Sequence, residues 1–209
     1  MNINKDTRIY GSFSNNPGNN GCIFFNEMFE KHNINAIYKS FYSINTKDLI
    51  TSVKHLNFSG FALSMPLKIN IIKYLDKIDE SASEIGAVNT VVNNNSILTG
   101  YNTDWLGVKN YLSDLLNEST ILTILGNGGF SKAIQYYCRT SNIPYKVITR
   151  LEWEQVTELS GYVFNATPIN INISKHAHLI DGRPFTEEGQ KIAKLQAIEQ
   201  FYLYTNIKI

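Results

Sequence analysis

The sequence predicts an α/β protein with parallel strand pairing. Apolar, strand-like runs alternate with stretches of helical apolar spacing along most of the chain. One such run, Ile121 to Leu125, is followed at once by Gly126-Asn-Gly-Gly129 and a helix-like segment from Phe130 to Cys138. Strand, glycine turn, helix is the order that opens a dinucleotide-binding unit. Glycines let the backbone turn tightly and approach a pyrophosphate, and the exposed N–H groups and positive end of the helix dipole then hold the anion. The spacing is Gly-x-Gly-Gly and not the full Gly-x-Gly-x-x-Gly. A turn of this kind also joins strand to helix where no nucleotide binds, so the rest of the chain has to decide.

Arg8 to Ser14 reads as a short strand running into Asn15-Asn-Pro-Gly-Asn-Asn-Gly21, which is dense in turn formers. Ile23 to Lys31 has helical spacing, with Phe25, Met28 and Phe29 on one side. Asn35 to Phe41 alternates as a second strand, and Thr46 is placed to cap a helix through Leu56. Gly60 to Pro66 is a third strand, stopped by its proline. Ile71, Ile72 and Leu75 continue as a helix, and Ser81 with Glu84 suggests a capping box for a short helix to Ile85. Ala87 to Asn93 is a strand that the asparagines 93–95 turn back into Ser96 to Gly100 as a hairpin. Tyr101-Asn-Thr-Asp104 leads into a helix from Trp105 to Leu116, and after the glycine turn Tyr145 to Ile148 is a further strand.

Composition bounds the function. The 209 residues suffice for one large or two small domains, and 43% hydrophobic with 18% charged residues is ordinary for a soluble globular chain. A net charge of +1 offers no footprint for a polyanion, which argues against nucleic acid as a partner. No apolar run is long enough to span a bilayer, and Met1-Asn-Ile-Asn-Lys-Asp6 lacks the apolar core of a signal peptide. The two cysteines, Cys22 and Cys138, sit in apolar surroundings and read as free thiols of a reducing cytoplasm. No metal site is expected.

In an α/β sheet, polar residues at strand ends face the binding crevice. Lys68, Asn89, Thr90 and Asp104 fit that position. Each has a bland alternative: a solvated lysine, turn-satisfying Asn89 and an Asp104 that caps the following helix. Together they suit proton transfer beside a hydride acceptor. A lysine can protonate a developing alkoxide, contributing on the order of 10²–10⁴ in rate, while a carboxylate holds it in place.

These residues carry a family resemblance. Ser64-Met-Pro-Leu-Lys68 resembles the Thr-x-Pro-x-Lys motif of the shikimate dehydrogenases, and Gly86-Ala-Val-Asn-Thr90 their Gly-Ala-Val-Asn-Thr. Gly100-Tyr-Asn-Thr-Asp104 with Gly107 is similar to their Gly-x-Asn-Thr-Asp-x-x-Gly. Gly126-Asn-Gly-Gly-Phe-Ser-Lys-Ala133 resembles their cofactor loop, Asn165-Ala-Thr-Pro168 the next cofactor-side motif, and Gly189 with Gln196 and Phe201 their C-terminal helix. The motifs occur in family order, and the Ser-Met-Pro form looks closest to the shikimate dehydrogenase-like branch.

The resemblance implies an α/β substrate domain over residues 1–103, completed by a C-terminal helix at 187–209, and a reduced Rossmann-like nucleotide domain over 104–186. It implies Lys68 and Asp104 as the catalytic pair and Ser64, Asn89 and Gln196 as substrate ligands. For the cofactor it implies Gly126, Asn127, Gly128, Gly129, Thr149, Arg150, Asn165 and Thr167. Arg150 favours NADP, because a guanidinium can grip the 2′-phosphate; Glu152, two residues on, counts against this. The implied activity is reversible, NADP-dependent reduction of 3-dehydroshikimate to shikimate in aromatic amino acid biosynthesis. A homodimer is left open.

Two departures stand against the family pattern. Its N-terminal loop carries Ser-x-Ser-Pro and then His-Asn. Here Asn16-Pro-Gly-Asn-Asn-Gly-Cys22 precedes Phe25-Asn26, and Ser12 and Ser14 are the nearest hydroxyls for a substrate carboxylate. Only ten residues, 151–160, separate Arg150 from Gly161, where the family has a helix, a strand and a helix. The nucleotide sheet is therefore expected to hold four strands instead of six. This shortening keeps open a non-catalytic shikimate-binding or regulatory protein, and the altered loop a dehydrogenase of quinate or another hydroxy acid.

Overall fold

The computed structural model describes residues 3–209. The chain divides into two units, Met1–Asn102 with Gln200–Ile209, and Thr103–Glu199.

The first unit is built on a six-stranded sheet of order β2-β1-β3-β5-β6-β4, from β1 (Arg8–Ser14), β2 (Ala36–Tyr42), β3 (Gly60–Leu63), β4 (Lys77–Ile78), β5 (Thr90–Asn94) and β6 (Ile97–Tyr101). β1 runs parallel to β2 and β3, but β5 is antiparallel to both β3 and β6. Parallel pairing thus does not extend across this sheet. The hairpin reverses the chain through Asn95 and Ser96, both at positive φ (51° and 68°), the two-residue turn whose twist matches its strands.

Helices α1 (Asn20–Lys31), α2 (Thr46–His55), α3 (Leu67–Asn70) and α4 (Glu80–Ile85) flank these strands. Two starts differ from the sequence expectation by local capping. Asn45, not Thr46, is the α2 cap, accepting from the N–H groups of Lys47 and Asp48. Asp79 caps α4 by accepting from Ser81, so the Ser81–Glu84 box is not used. The helix expected through Leu75 resolves into α3 and a 3₁₀ turn at Ile72–Tyr74. Residues 87–89, expected as strand, precede β5 and lie outside it.

Apolar side chains fill two sides of this unit. Phe13, Leu49, Val53, Phe61, Ile71, Val88 and Val91 belong to one buried cluster. Tyr10, Phe25, Phe29, Tyr38 and Tyr204 form a continuous set of ring contacts with centroids 4.4–6.3 Å apart.

Asn26 closes the outer edge of β2. Its Nδ2 donates to the Cys22 and Tyr38 carbonyls, and its Oδ1 accepts from the Tyr38 N–H, at 2.8–2.9 Å. The amide thereby imitates one residue of a neighbouring strand. The Asn26 that stands in the family's His-Asn position has this structural part.

The second unit carries a four-stranded, all-parallel sheet of order β10-β9-β7-β8, from β7 (Leu122–Leu125), β8 (Tyr145–Ile148), β9 (Gly161–Asn165) and β10 (Ala177–Asp181). This is the expected strand count. Between β8 and β9 the chain makes only a 3₁₀ segment, Arg150–Glu158. Helices α5 (Asp104–Leu112) and α6 (Gly129–Thr140) also belong here, and α7 (Glu187–Thr205) starts here, its residues from Gln200 onward counting with the first unit. α5 stops at Leu112, four residues short of the expected end. Burial pushes the Cys138 thiol up to about 12. At Gly107 a Cβ would lie 2.8 Å from Gln196 Cβ and 2.9 Å from the Ile192 carbonyl oxygen, so a bare Cα is what lets α5 and α7 touch.

Two outcomes test this packing. Asn26→Ala should lower unfolding free energy by roughly 2–3 kcal/mol in urea titration at unchanged m value, because two backbone groups lose their partners. Gly107→Ala should cost about 1–3 kcal/mol by the same measurement, through overpacking; no change in midpoint would mean the helices part without cost.

Candidate functional site

In the first unit, neighbouring strand ends line up candidate side chains. The β1/β3 register pairs Phe13 with Leu63, so the next residues, Ser14 and Ser64, leave adjacent strands side by side. The Ser64 N–H donates to the Phe13 carbonyl and the Asn15 N–H to the Met65 carbonyl, extending the contact past the strands. Asn89 comes next: its carbonyl accepts from Leu63 N–H and its N–H donates to Tyr101 O. Lys68 joins through its backbone, whose carbonyl accepts from Val88 N–H at 2.8 Å. Lys68 sits in α3, whose first N–H, at Leu67, bonds back to Ser64. Ser64, Lys68 and Asn89 are therefore carried on hydrogen-bonded backbone of one unit.

Ser12 and Ser14 differ. The Ser12 hydroxyl donates to Ser40 within the strands at 3.0 Å, while Ser40 in turn donates to the Gly18 carbonyl. Ser14 is buried at the end of β1 and accepts from Asn16 N–H. Ser14 thus sits in the row of strand ends, and Ser12 two residues behind it is occupied with tying β1 and β2 to the following loop.

Sequence reading passed over two buried polar side chains here, Asn102 and Gln200. Asn102 donates to the Ala87 carbonyl, and Gln200 donates to Thr90 Oγ1, which donates to Asn89 Oδ1. The signal for Gln200 was its spacing, one helical turn beyond Gln196 on α7.

In the second unit, Asp104 opens α5 and is buried. It does not cap the helix; Thr103 holds the cap position, and its hydroxyl donates to Gln196 Oε1 at 3.1 Å. Gln196 is thereby fixed on α7.

The glycine turn joins β7 to α6. Gly126 has φ +97° and a Cβ there would meet Thr167 Cγ2 at 2.8 Å, so glycine is required twice over. A Cβ on Gly128, the α6 cap residue, would meet nothing within 4 Å. No side chain caps α6 and no acid occupies its first turn. Ser131 donates to the Gly126 carbonyl, and Gln135 to Asn127 Oδ1, bracing the turn. An open space over uncapped N–H groups at a helix start suits a pyrophosphate.

The remaining candidates surround that turn. Gly126 N–H bonds to Ile148 O, at the end of β8, and Ala166 N–H to Leu125 O. Thr149 spends its N–H and hydroxyl on Glu152 Oε2, both at 3.1 Å, in a capping box. Glu152, the acid that counted against a 2′-phosphate, is thus engaged with the backbone, and Arg150 is exposed beside it. Asn165 is fully buried; it donates to Ile169 O and Asp181 Oδ1 and accepts twice from Thr167. Asp181 in turn pairs with Arg183 at 2.6 Å, and that carboxylate raises the guanidinium pKa. Asn165 shapes the loop that carries Thr167 against Gly126. Among the described residues no cluster of three or more His, Cys, Asp or Glu could hold a metal, and no helix is long and apolar enough to cross a membrane.

The model of the shikimate dehydrogenase substrate binding domain matches residues 21–91. The shikimate dehydrogenase-like protein of Haemophilus influenzae is 38% identical over 133 residues, 63% of this chain and 49% of that protein. The shikimate dehydrogenase (NADP(+)) of Pyrococcus furiosus is 40% identical over 64% of this chain and 51% of its own length. The chain thus spans about half the length of these two relatives. A shikimate dehydrogenase (NADP(+)) of Methanococcus maripaludis is 37% identical over 196 residues, 87% of this chain and 70% of that protein. The solved structure of a shikimate 5-dehydrogenase-like protein superposes with a TM-score of 0.80 at 29% identity, covering 99% of this chain and 94% of that one. Shikimate dehydrogenase 1 of Peptoclostridium difficile gives 0.81 at 27% identity, over 97% and 93%. On the extent of the Methanococcus match, and with the substrate-domain model lying across β2, β3 and the Lys68 and Asn89 segments, the chain belongs to the shikimate dehydrogenase family.

Proposed function

We propose that the protein is an NADP-dependent shikimate dehydrogenase, reversibly reducing the ketone of 3-dehydroshikimate to the hydroxyl of shikimate in the cytoplasm, with small molecules and neither nucleic acid nor membrane as partners. The observation that carries this reading is the ordered motif set from Ser64 to Phe201, with Lys68 and Asp104 both present. The names of the Pyrococcus and Methanococcus relatives, both NADP(+) enzymes, support it.

Gly126, Gly128 and the first N–H groups of α6 are suited to the cofactor pyrophosphate, and Arg150 to its 2′-phosphate. Bound there, the nicotinamide supplies the hydride. The protein supplies the proton. The Lys68 ammonium donates to the carbonyl oxygen as it becomes an alkoxide, and Asp104 is the carboxylate of this acid–base pair. Ser14, Ser64 and Asn89 hold the carboxylate and hydroxyls of the substrate in the row of strand ends, with Ser12 behind them, and Gln196 adds an amide from α7. In the oxidising direction Lys68 takes the proton back.

Purified protein with shikimate and NADP should reduce the cofactor, read by its absorbance. Lys68→Ala should lower kcat by about 10²–10⁴-fold; equal turnover in wild type and variant would overturn the assignment. Arg150→Gln should raise the KM for NADP roughly tenfold and leave that for NAD unchanged, since only the former carries the phosphate. The bare 3₁₀ connection between β8 and β9 favours one second reading, a shikimate-binding protein without a working cofactor site. Calorimetry separates the two, because that reading requires shikimate to bind and NADP not to.

A further inference from the structure

Asn165 and Asp181 are partners in the last rung of the β9/β10 pair. Residues in register on parallel strands put their side chains on the same face, and β9 is also the neighbour of β7, from which the glycine turn leaves. Asn165 offers two amide N–H donors and one oxygen with two lone pairs, and all four are used. Its Nδ2 donates to the Ile169 carbonyl at 3.0 Å and to Asp181 Oδ1 at 3.2 Å. Its Oδ1 accepts from the Thr167 N–H at 3.0 Å and the Thr167 hydroxyl at 2.7 Å. The Ile169 carbonyl can only accept and the Thr167 N–H can only donate, so the amide has one orientation.

Asp181 is held in its turn. Its Oδ1 accepts from the Arg183 N–H at 3.2 Å, and the Arg183 guanidinium grips both oxygens through Nε and Nη2 at 2.6–2.9 Å. The side chains of the pair are 11% and 10% exposed, so water competes little for these bonds. Arg183 Nη2 also donates to Asn170 Oδ1 at 2.9 Å. The ion pair therefore holds both ends of the loop 165–170, Asn165 through the carboxylate and Asn170 through the guanidinium. Between those ends lies the part that touches the glycine turn. The Ala166 N–H bonds to Leu125 O, and the Thr167 methyl lies where a Cβ on Gly126 would meet it at 2.8 Å.

We infer that Asp181 and Arg183 are positioning residues for the cofactor: clamping Asn165 and Asn170, they fix the 165–170 loop against Gly126 and so set the turn that receives the pyrophosphate. The inference deepens the function proposed above and rests on it for the presence of the cofactor at that turn. Neither residue touches a reacting atom. In the same reading Arg150 serves the 2′-phosphate alone, whereas the clamp serves a part that NADP and NAD share. The two must then differ in which cofactor they affect.

Three variants of the full chain test this by steady-state kinetics and calorimetric cofactor binding. Asp181→Leu keeps the side chain near its size and removes its acceptors. Asp181→Leu/Arg183→Met removes the pair without leaving a lone buried charge. Asp181→Asn keeps one oxygen to accept from Asn165. The first two should raise the KM for NADP and for NAD alike, roughly tenfold, with kcat and the KM for shikimate within about twofold of wild type. Asp181→Asn should stay within about threefold of wild type throughout. A pair with only a structural part would lower the urea midpoint and leave each KM unchanged; that result overturns the inference, as does a loss confined to NADP or one shared equally by shikimate. Should Asp181→Leu fail to fold, the double variant decides on the same readout. If wild type neither turns over nor binds NADP, the function proposed above fails, and the clamp is judged by amide hydrogen exchange without ligand. The Thr167 and Ile169 N–H groups should then exchange roughly tenfold faster in the double variant than in wild type, and unchanged exchange refutes the clamp.

Discussion

Residues 87–89 are the constraint on which the substrate side depends. They belong to no strand, yet four of their backbone groups are held: Val88 N–H bonds to Lys68 O, Asn89 N–H to Tyr101 O, Asn89 O to Leu63 N–H, and Ala87 O to the Asn102 side chain. A segment held by this many groups cannot slide in register without leaving buried donors and acceptors unpaired, each at a cost of about 1–3 kcal/mol. The strand ends at Ser64, the short helix carrying Lys68 and the amide of Asn89 are therefore set by one small knot of main chain. The hairpin Asn95-Ser96 serves that knot, because it returns β6 to bring Tyr101 opposite it.

The second unit shows what a nucleotide-binding sheet retains when it is short. Four parallel strands still place β7 between β8 and β9, so the glycine turn is flanked on both sides. Its conformation is enforced from those flanks, by Ile148 through a backbone bond and by Thr167 through contact at the position where Gly126 lacks a side chain. The strand-to-strand connection that became a 3₁₀ segment lies beyond β8. It leaves the turn itself intact and keeps its own order through the Thr149–Glu152 box.

Much of this was legible in the sequence because the signals were local. The glycine turn and the β8 strand follow from apolar runs and punctuation within a few residues, while the four-strand count followed from the shortening of the chain against the family pattern it resembles. Helix starts were displaced by one or two residues at Asn45 and Asp79, since several neighbouring polar residues can each cap and only three-dimensional reach decides among them. Lys77–Ile78 is a strand solely through its pairing with β6, and two residues carry no period to read. The antiparallel β3–β5 pairing is likewise a long-range fact. At the candidate site, the residues with motif neighbours were named in advance, while the Gln200–Thr90–Asn89 chain was not. It joins positions 110 apart in sequence, and glutamine on a helix face has no local signature of burial.

The central proposal is that the strand-end residues of the first unit answer to substrate and the glycine turn of the second to cofactor. Hydrogen exchange followed by mass spectrometry, with shikimate and NADP added one at a time, tests it most directly. Shikimate should slow exchange in segments 61–70 and 86–102, and NADP in segments 125–132, 148–152 and 165–169. Exchange unaffected by either compound, or slowed by both in the same segments, would contradict the account.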